Sequence, residues 1–396
     1  MSQPLSKTAS HAGRAVFRPR SEFPEYRVAL AQLKGHQTKA LTRMQQLAPQ
    51  INLVLELRDS RTPLSSSNVL IDKIFKGKDK VIVYTKGDMS PLSSELLSRW
   101  HAPRNETFVE LDCRRGKDIH KVLGLLKSKY GSMKPPPPLG LRLMVTGMPN
   151  VGKSTLVNGL RQHGLQVKHF KKVARTGDLA GVTRNTSEII RICEKPEILL
   201  YDTPGVLLPQ VNDIKTMLGL YLVGTVSGGG HMSATGNGVD PVIAADYLLY
   251  MLNLNDPSGK LYRRYLARPT NDVYELLEGV GKVTRDRRRS RVDGVMRANY
   301  TGCALHLVQE FRRGKLGKVC LDEEVLKGVT GEEYARLFEQ EEARVGGLQT
   351  RIGVMETLYA TNERERATVE EARVAKLGKH QRKKQEQMRQ SNQLFF

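Results

Sequence analysis

Residues 141–155 read LRLMVTGMPNVGKST. The first six, LRLMVT, form an apolar run that predicts a strand. The next nine fit G-x-x-x-x-G-K-[ST], and STLVNGLRQ (154–162) continues with a helical pattern. Strand, glycine-bearing turn and helix in this order make a loop that wraps phosphate. Gly147 and Gly152 let backbone N–H groups curl around phosphate oxygens, with Asn150, Val151 and Thr155 completing the turn. Lys153 brings positive charge to the β- and γ-phosphates, and the Ser154 hydroxyl can ligate Mg²⁺.

Downstream, YDTPG (201–205) ends a further apolar run, EILLY (197–201). At a strand end after a phosphate loop, Asp202 is placed to hold Mg²⁺ through its water shell. Gly205 is placed to offer its N–H to the γ-phosphate. Between the two motifs lies RTGDLAGVTRNT (175–186). A threonine there is expected to reach Mg²⁺ when the γ-phosphate is present. Thr183 is the choice, because Gly181 precedes it and a strand follows; Thr176 and Thr186 are its rivals.

Upstream, VIVYTKGDMSP (81–91) raises a question of order. Thr85-Lys86-Gly87-Asp88 follows a strand and resembles the guanine-reading Asn-Lys-x-Asp. Guanine offers N1–H and an amino group on one edge. The Asp88 carboxylate accepts from both, which adenine cannot satisfy. The stem of Lys86 can cover the base face. Thr85 stands where Asn is usual, so one carboxamide bond is lost or altered. LDCRRG (111–116) ends another strand, with Cys113 in the usual Ser place of a loop that supports the base. No better Asn-Lys-x-Asp follows residue 205. The base loop therefore precedes the phosphate loop, as circular permutation allows. A sheet fixes where strand ends lie in space, not their order along the chain. The tetraproline Pro135 to Pro138 would belong to the new join.

Six runs predict strands: INLVLEL (51–57), KVIVY (80–84), TFVEL (107–111), LRLMVT, SEIIRI (187–192) and EILLY. Strands alternating with helices predict an α/β fold, here a circularly permuted P-loop domain with a mostly parallel six-stranded sheet. It is expected to span 25–215, opening with a helix over 25–48. A helical, basic domain with its tail follows over 216–396, marked by AADYLLYMLN and EEYARLFEQEEARV.

The formal charge is +22, from 63 Lys and Arg against 41 Asp and Glu, which points to a polyanionic partner. Aromatics are 6%, too few for a base-stacking sheet to be the main contact. TRDRRRSRVDG (284–294) gathers Arg287, Arg288 and Arg289, candidates for RNA phosphate contact against a plain solvated loop. In the tail, Arg373, Lys376, Lys379 and Lys383 recur every three or four residues, adjoined by Arg382 and Lys384, read either as an RNA-contacting helix face or as a disordered tail that folds on RNA. The four cysteines have no C-x-x-C spacing, which argues against a zinc site and for reduced thiols. No apolar stretch approaches the roughly 20 residues of a membrane span. The first 21 residues lack acid and carry Lys7, Arg14, Arg18 and Arg20. Segment 1–24 is accordingly expected to be a mitochondrial transit peptide or a disordered basic arm.

This order of motifs resembles the YlqF/RbgA family of circularly permuted ribosome-assembly GTPases. KGHQTKAL (34–41), LRDSRTPLSSSN (57–68) and FRRGKLGK (311–318) are similar to three further segments of that family. Thr85 and Cys113 depart from its pattern. The resemblance implies GTP as substrate, Mg²⁺ as cofactor and maturation of a large ribosomal subunit through ribosomal RNA contact. For the family's mitochondrial members it implies the mitochondrial large subunit and its ribosomal RNA, met on the matrix side of the inner membrane by peripheral association. A monomer is expected. After Asp-x-x-Gly come Val206, Leu207 and Leu208, none able to orient the attacking water, so intrinsic turnover is expected to be slow. His36 is the family's candidate for that task, alongside the plainer reading of a capping or surface histidine; Gln210 is a weaker rival. Asn150 matches the position that binds K⁺ in related GTPases. Two alternatives remain: a GTP-gated binding module with little turnover, and a nucleolar or cytoplasmic assembly GTPase.

Overall fold

A computed structural model of the chain describes residues 17–24, 26, 35–166, 189–206, 211, 213–226, 239–289 and 294–343, with 35–39 by backbone alone. Helix α1 (Gly35–Leu47) leads to strand β1 (Leu53–Asp59). Then come α2 (Val69–Ile74), β2 (Asp79–Thr85), α3 (Ser94–His101), β3 (Thr107–Leu111) and α4 (Gly116–Ser132). The tetraproline joins α4 to β4 (Leu141–Gly147), which feeds α5 (Lys153–Gly164). Strands β5 (Ile189–Cys193) and β6 (Ile198–Asp202) complete a six-stranded sheet of order β3-β2-β1-β4-β6-β5. All neighbours pair in parallel except β5, which runs antiparallel to β6.

Strand β1 is buried along its whole length, as expected of a central strand with both faces covered. Its period-two alternation sends Leu53, Leu55 and Leu57 to one face and Val54 to the other. On the second face, Glu56 and Arg58 are buried as a pair, Arg58 Nε donating to Glu56 Oε1 at 2.8 Å. Lys80 Nζ lies 3.2 Å from the other Glu56 oxygen.

The chain continues through α6 (Ile214–Leu222), α7 (Pro241–Asn255) and α8 (Val273–Thr284). Asp213, Asp240 and Asp272 each cap the helix that follows by accepting a backbone N–H, each cap worth about 1 kcal/mol. A short hairpin, β7 (Arg287–Arg289) with β8 (Met296–Ala298), then precedes α9 (Tyr300–Arg312), whose N-cap is Asn299. This hairpin is absent from the purely helical region expected after residue 215. Helix α10 (Glu323–Leu326) and a helix over 331–343, α11, end the described chain. Helix α11 lies on the second sheet face. Its Tyr334 stacks on Trp100 at 5.1 Å, and Arg58 sits 5.0 Å over the Phe338 ring.

One apolar cluster runs from the first sheet face through α4 and α5 into α6, α7, α8 and α9, so the sheet and the later helices share a core. Within the expected leader or basic arm, residues 17–24 are folded. Phe23 is buried between Tyr247 and Tyr250, and Arg20 donates to both carboxylate oxygens of Asp246. Among the described residues, no helix is long and apolar enough to cross a membrane.

Candidate nucleotide site

Parallel pairing points the carboxyl ends of β2, β3, β4 and β6 the same way. Four loops meet there, drawn from distant parts of the chain. The phosphate loop leaves β4 at Gly147, where φ is 141° and an added Cβ would lie 2.4 Å from Leu57 O. Gly152, with φ of 101°, packs 3.7 Å from Thr85 and 3.8 Å from Cys113 Sγ, measured from the position of a Cβ. Base loop and phosphate loop are thus in contact. Two hydrogen bonds join them: Thr85 Oγ1 donates to Val151 O at 2.6 Å, and Lys86 Nζ donates to Asn150 O at 3.0 Å.

Lys153 opens α5 and is buried, its Nζ donating to Gly147 O (3.1 Å) and Met148 O (2.6 Å). Burial lowers its pKa to about 8, against the opposite pull of Asp202. Ser154 and Thr155 lie in the first turn of α5, whose N-terminal N–H groups favour an anion. Asp202, at the end of β6, is buried, and its Oδ1 has no hydrogen-bond partner. Burial raises its pKa, with Lys153 acting against that. A buried, unpaired carboxylate oxygen beside Lys153 and the Ser154 turn is a donor set that fits a hard cation such as Mg²⁺. The Asp202 loop is pinned to the phosphate loop. Thr203 Oγ1 donates to Val145 O (2.8 Å), and the Val206 N–H donates to Gly147 O (3.3 Å). A Cβ on Gly205 would meet Pro149 backbone at 2.6 Å, so only glycine fits there.

At the base end, Asp88 Oδ2 accepts from Arg114 Nη2 at 2.7 Å, while its Oδ1 is buried and unpartnered. Lys86 has φ of 57° and is held by Asp59, whose Oδ2 accepts from Nζ at 2.6 Å. Asp59 also takes a two-pronged bond from Arg61 at 2.9 and 2.8 Å. Burial alone would raise its pKa; the Arg61 and Lys86 cations outweigh that and hold it well below the usual carboxylate range. Burial pushes the Cys113 thiol up to about 12, so it stays neutral.

Val206, first after the Asp-x-x-Gly loop, is fully buried, and its carbonyl accepts from Asn68 Nδ2 at 3.1 Å. Its side chain belongs to the apolar core. Asn150, a non-glycine residue with φ of 59°, donates its Nδ2 to Gly224 O at 2.7 Å. Arg287, Arg288 and Arg289 lie on the exposed β7 strand; Arg287 Nη2 donates to Met296 O (2.6 Å) and Arg289 Nε to Gly294 O (3.1 Å). Thr183, Thr176, Thr186, Leu207, Leu208, Gln210, Lys383, Lys384 and the side chain of His36 lie outside the described residues. Sequence reasoning missed Asp59 and Arg61 as supports of the base loop. LRDSRTPLSSSN was visible as a motif, but nothing in it names Lys86 as a partner.

A family model described as "50S ribosome-binding GTPase" matches residues 142–269. The match begins at β4 and contains the phosphate and Asp202 loops, while Thr85–Asp88 lies ahead of it. Mitochondrial GTPase 1 of Saccharomyces cerevisiae is 44% identical over 284 residues, 66% of this chain and 75% of the yeast protein. Mitochondrial ribosome-associated GTPase 1 of Mus musculus is 32% identical over 304 residues, 74% of this chain and 90% of the mouse protein. Among solved structures, GNP-bound YlqF from T. maritima overlaps with a TM-score of 0.46 at 18% identity, covering 72% of this chain and 97% of that one.

Proposed function

Because the chain belongs to the family of mitochondrial GTPase 1 and mitochondrial ribosome-associated GTPase 1, we propose that it hydrolyses GTP as a switch in assembly of the mitochondrial large ribosomal subunit. It is a GTP hydrolase, a mitochondrial protein and a ribosome-assembly factor. Our finer reading adds the large subunit, direct contact with its ribosomal RNA, and peripheral residence on the matrix side of the inner membrane. The observation that carries the nucleotide site is the pair of bonds Thr85–Val151 and Lys86–Asn150, which support a single GTP gripped at base and phosphates. The exposed Arg287–Arg289 strand supports the RNA contact.

We assign the roles from that geometry, and that of Thr183, outside the described residues, from its place in the sequence. The unpartnered Asp88 Oδ1 would accept from guanine, and Lys86, fixed by Asp59, would lie along its face. Cys113 supports that loop as a neutral thiol. Lys153, the α5 N-terminus and Gly205 would hold the phosphates. Ser154, Thr183 and Asp202 would hold Mg²⁺, which when bound neutralises charge on the β- and γ-phosphates. Asn150 is the residue we assign to a K⁺ ion. With Val206 committed to the core, this loop offers no water-orienting group at its first position. Slow intrinsic turnover follows, with His36 or a ribosomal group completing the site. That same observation favours a second reading, a GTP-gated binding module with little turnover.

We take 25–215 as the GTPase domain and 216–396 as the RNA-contacting region. Any transit peptide would end ahead of residue 17, because 17–24 pack on α7. GTP hydrolysis measured with and without mitochondrial large subunits tests the whole reading. Stimulation of at least tenfold is expected; unchanged, negligible turnover leaves the gated module. Crosslinking to mitochondrial ribosomal RNA that ignores nucleotide state would overturn the switch.

A further inference from the structure

Asn150 holds a left-handed backbone conformation, which asparagine tolerates better than most residues, and two hydrogen bonds fix it there. Lys86 takes its carbonyl, and Gly224 O takes its carboxamide N–H at 2.7 Å. Gly224 is the residue after the C-cap of α6. Its φ is 83°, and its N–H donates to Tyr221 O at 3.0 Å. The position of Gly224 O is therefore set by how α6 ends.

The end of α6 is held from outside. Arg312, the last residue of α9, donates Nε to Leu222 O (3.0 Å) and Nη2 to Tyr221 O (2.5 Å). Its guanidinium also lies 5.5 Å over the Tyr221 ring. The last carbonyls of a helix lack intrahelical partners and carry partial negative charge, which a forked cation satisfies. A Cβ built on Gly224 would stand 3.5 Å from Arg312 Cζ and 3.7 Å from Asn150 Nδ2. Gly224 thus lies close to both side chains.

We propose that Arg312 is a positioning residue for the phosphate loop, acting through Gly224 on Asn150. This gives a role to part of FRRGKLGK that nucleotide contact alone does not explain. Helix α9 then links two places. Its N-cap follows the arginine hairpin directly, and its last residue fixes the phosphate loop. The 13-residue helix between them spans roughly 20 Å. The inference rests on the reading of residues 147–155 as the phosphate loop.

A double-mutant cycle on the full chain tests it. Arg312→Ala is expected to lower mant-GTP affinity and kcat/KM about tenfold, yet less than about twofold when Asn150→Ala is already present. Competition by guanosine, which has no phosphate, should be unchanged. Arg313→Ala, an exposed neighbour paired with Glu310, should stay within about twofold of the unaltered chain. Arg312→Lys keeps the charge without the fork and should lose most of the same effect; it carries the cycle if the alanine variant fails to fold. Additive losses, an equal fall in guanosine affinity or a lysine variant equal to wild type would each overturn the proposal. If the unaltered chain fails to bind mant-GTP, the phosphate-loop reading falls with it; if it binds and the losses add, this proposal alone falls.

Discussion

The Thr85 hydroxyl donates to the carbonyl oxygen of Val151 at 2.6 Å across 66 residues of chain, tying the loop after β2 to the loop after β4. Both groups are fully buried. Threonine therefore does here, with a hydroxyl, what a longer carboxamide could do at the same place. Thr85→Val keeps the shape and leaves Val151 O without that donor. We expect a loss of about 1–3 kcal/mol in urea unfolding. Weaker mant-GTP binding should accompany it. Unchanged stability and affinity would deny the tether any function.

Lys153 should reveal itself by pH. Its pKa falls from 10.5 to about 8 in the folded chain, so between those values the unfolded chain holds the extra proton. Stability without nucleotide should then rise as pH increases from about 8 towards 10.5, the burial penalty being present in full below 8. Lys153→Met removes the buried charge. It should stabilise the nucleotide-free protein by roughly 1–3 kcal/mol at pH 7, abolish the alkaline rise and abolish GTP binding. Urea midpoints at pH 7, 8.5 and 9.5 decide the matter.

Carboxylates produce the opposite slope in acid. Glu56 is held at about 2: burial would raise it, but Arg58 and Lys80 prevail. Glu106 is also held at about 2, where burial yields to the His101 hydrogen bond and to nearby cations. Asp59 lies lower still than the usual range. Their stabilisation is present above about pH 4.5 and is lost as pH falls towards 2. Asp72, whose pKa burial raises, works weakly against that slope. Asp59→Asn should cost about 3–5 kcal/mol at pH 7, because Arg61 and Lys86 lose their shared partner. It should also flatten the fall in urea midpoint between pH 5 and 3.

Base choice should follow the carboxylate of Asp88. In Asp88→Asn the amide keeps one acceptor and gains a donor, which suits the 2-oxo group of xanthine rather than the 2-amino group of guanine. A shift of preference from GTP to XTP by at least about 100-fold is expected in competitive binding with mant-GDP. Equal weakening of both nucleotides would place the base elsewhere.

Sequence alone predicted all six strands of the sheet, each within about two residues of its place, because central parallel strands are continuous apolar runs with little ambiguity. Gly147, Gly152 and Lys153 were legible for a similar reason: phosphate chemistry imposes their spacing. Arg312 was not, since its partners are backbone carbonyls that carry no sequence signal. The β7–β8 hairpin was missed because its three-residue arms are almost wholly arginine or solvent-facing. Asn150 was legible as part of the phosphate turn and as an ion ligand, but its partner was not, for nothing in GMPNVGKST points to a carbonyl 74 residues away.

Arg20 and Phe23 dock on Asp246 and Tyr247, more than 220 positions along the polypeptide. A chain emerging amino end first, from a ribosome or through a translocation pore, must hold this stretch unattached until α7 has followed it out. Residues 17–24 are thus made well before the helix they rest on, and a truncated product ending before residue 241 leaves Arg20 and Phe23 with no place to bind.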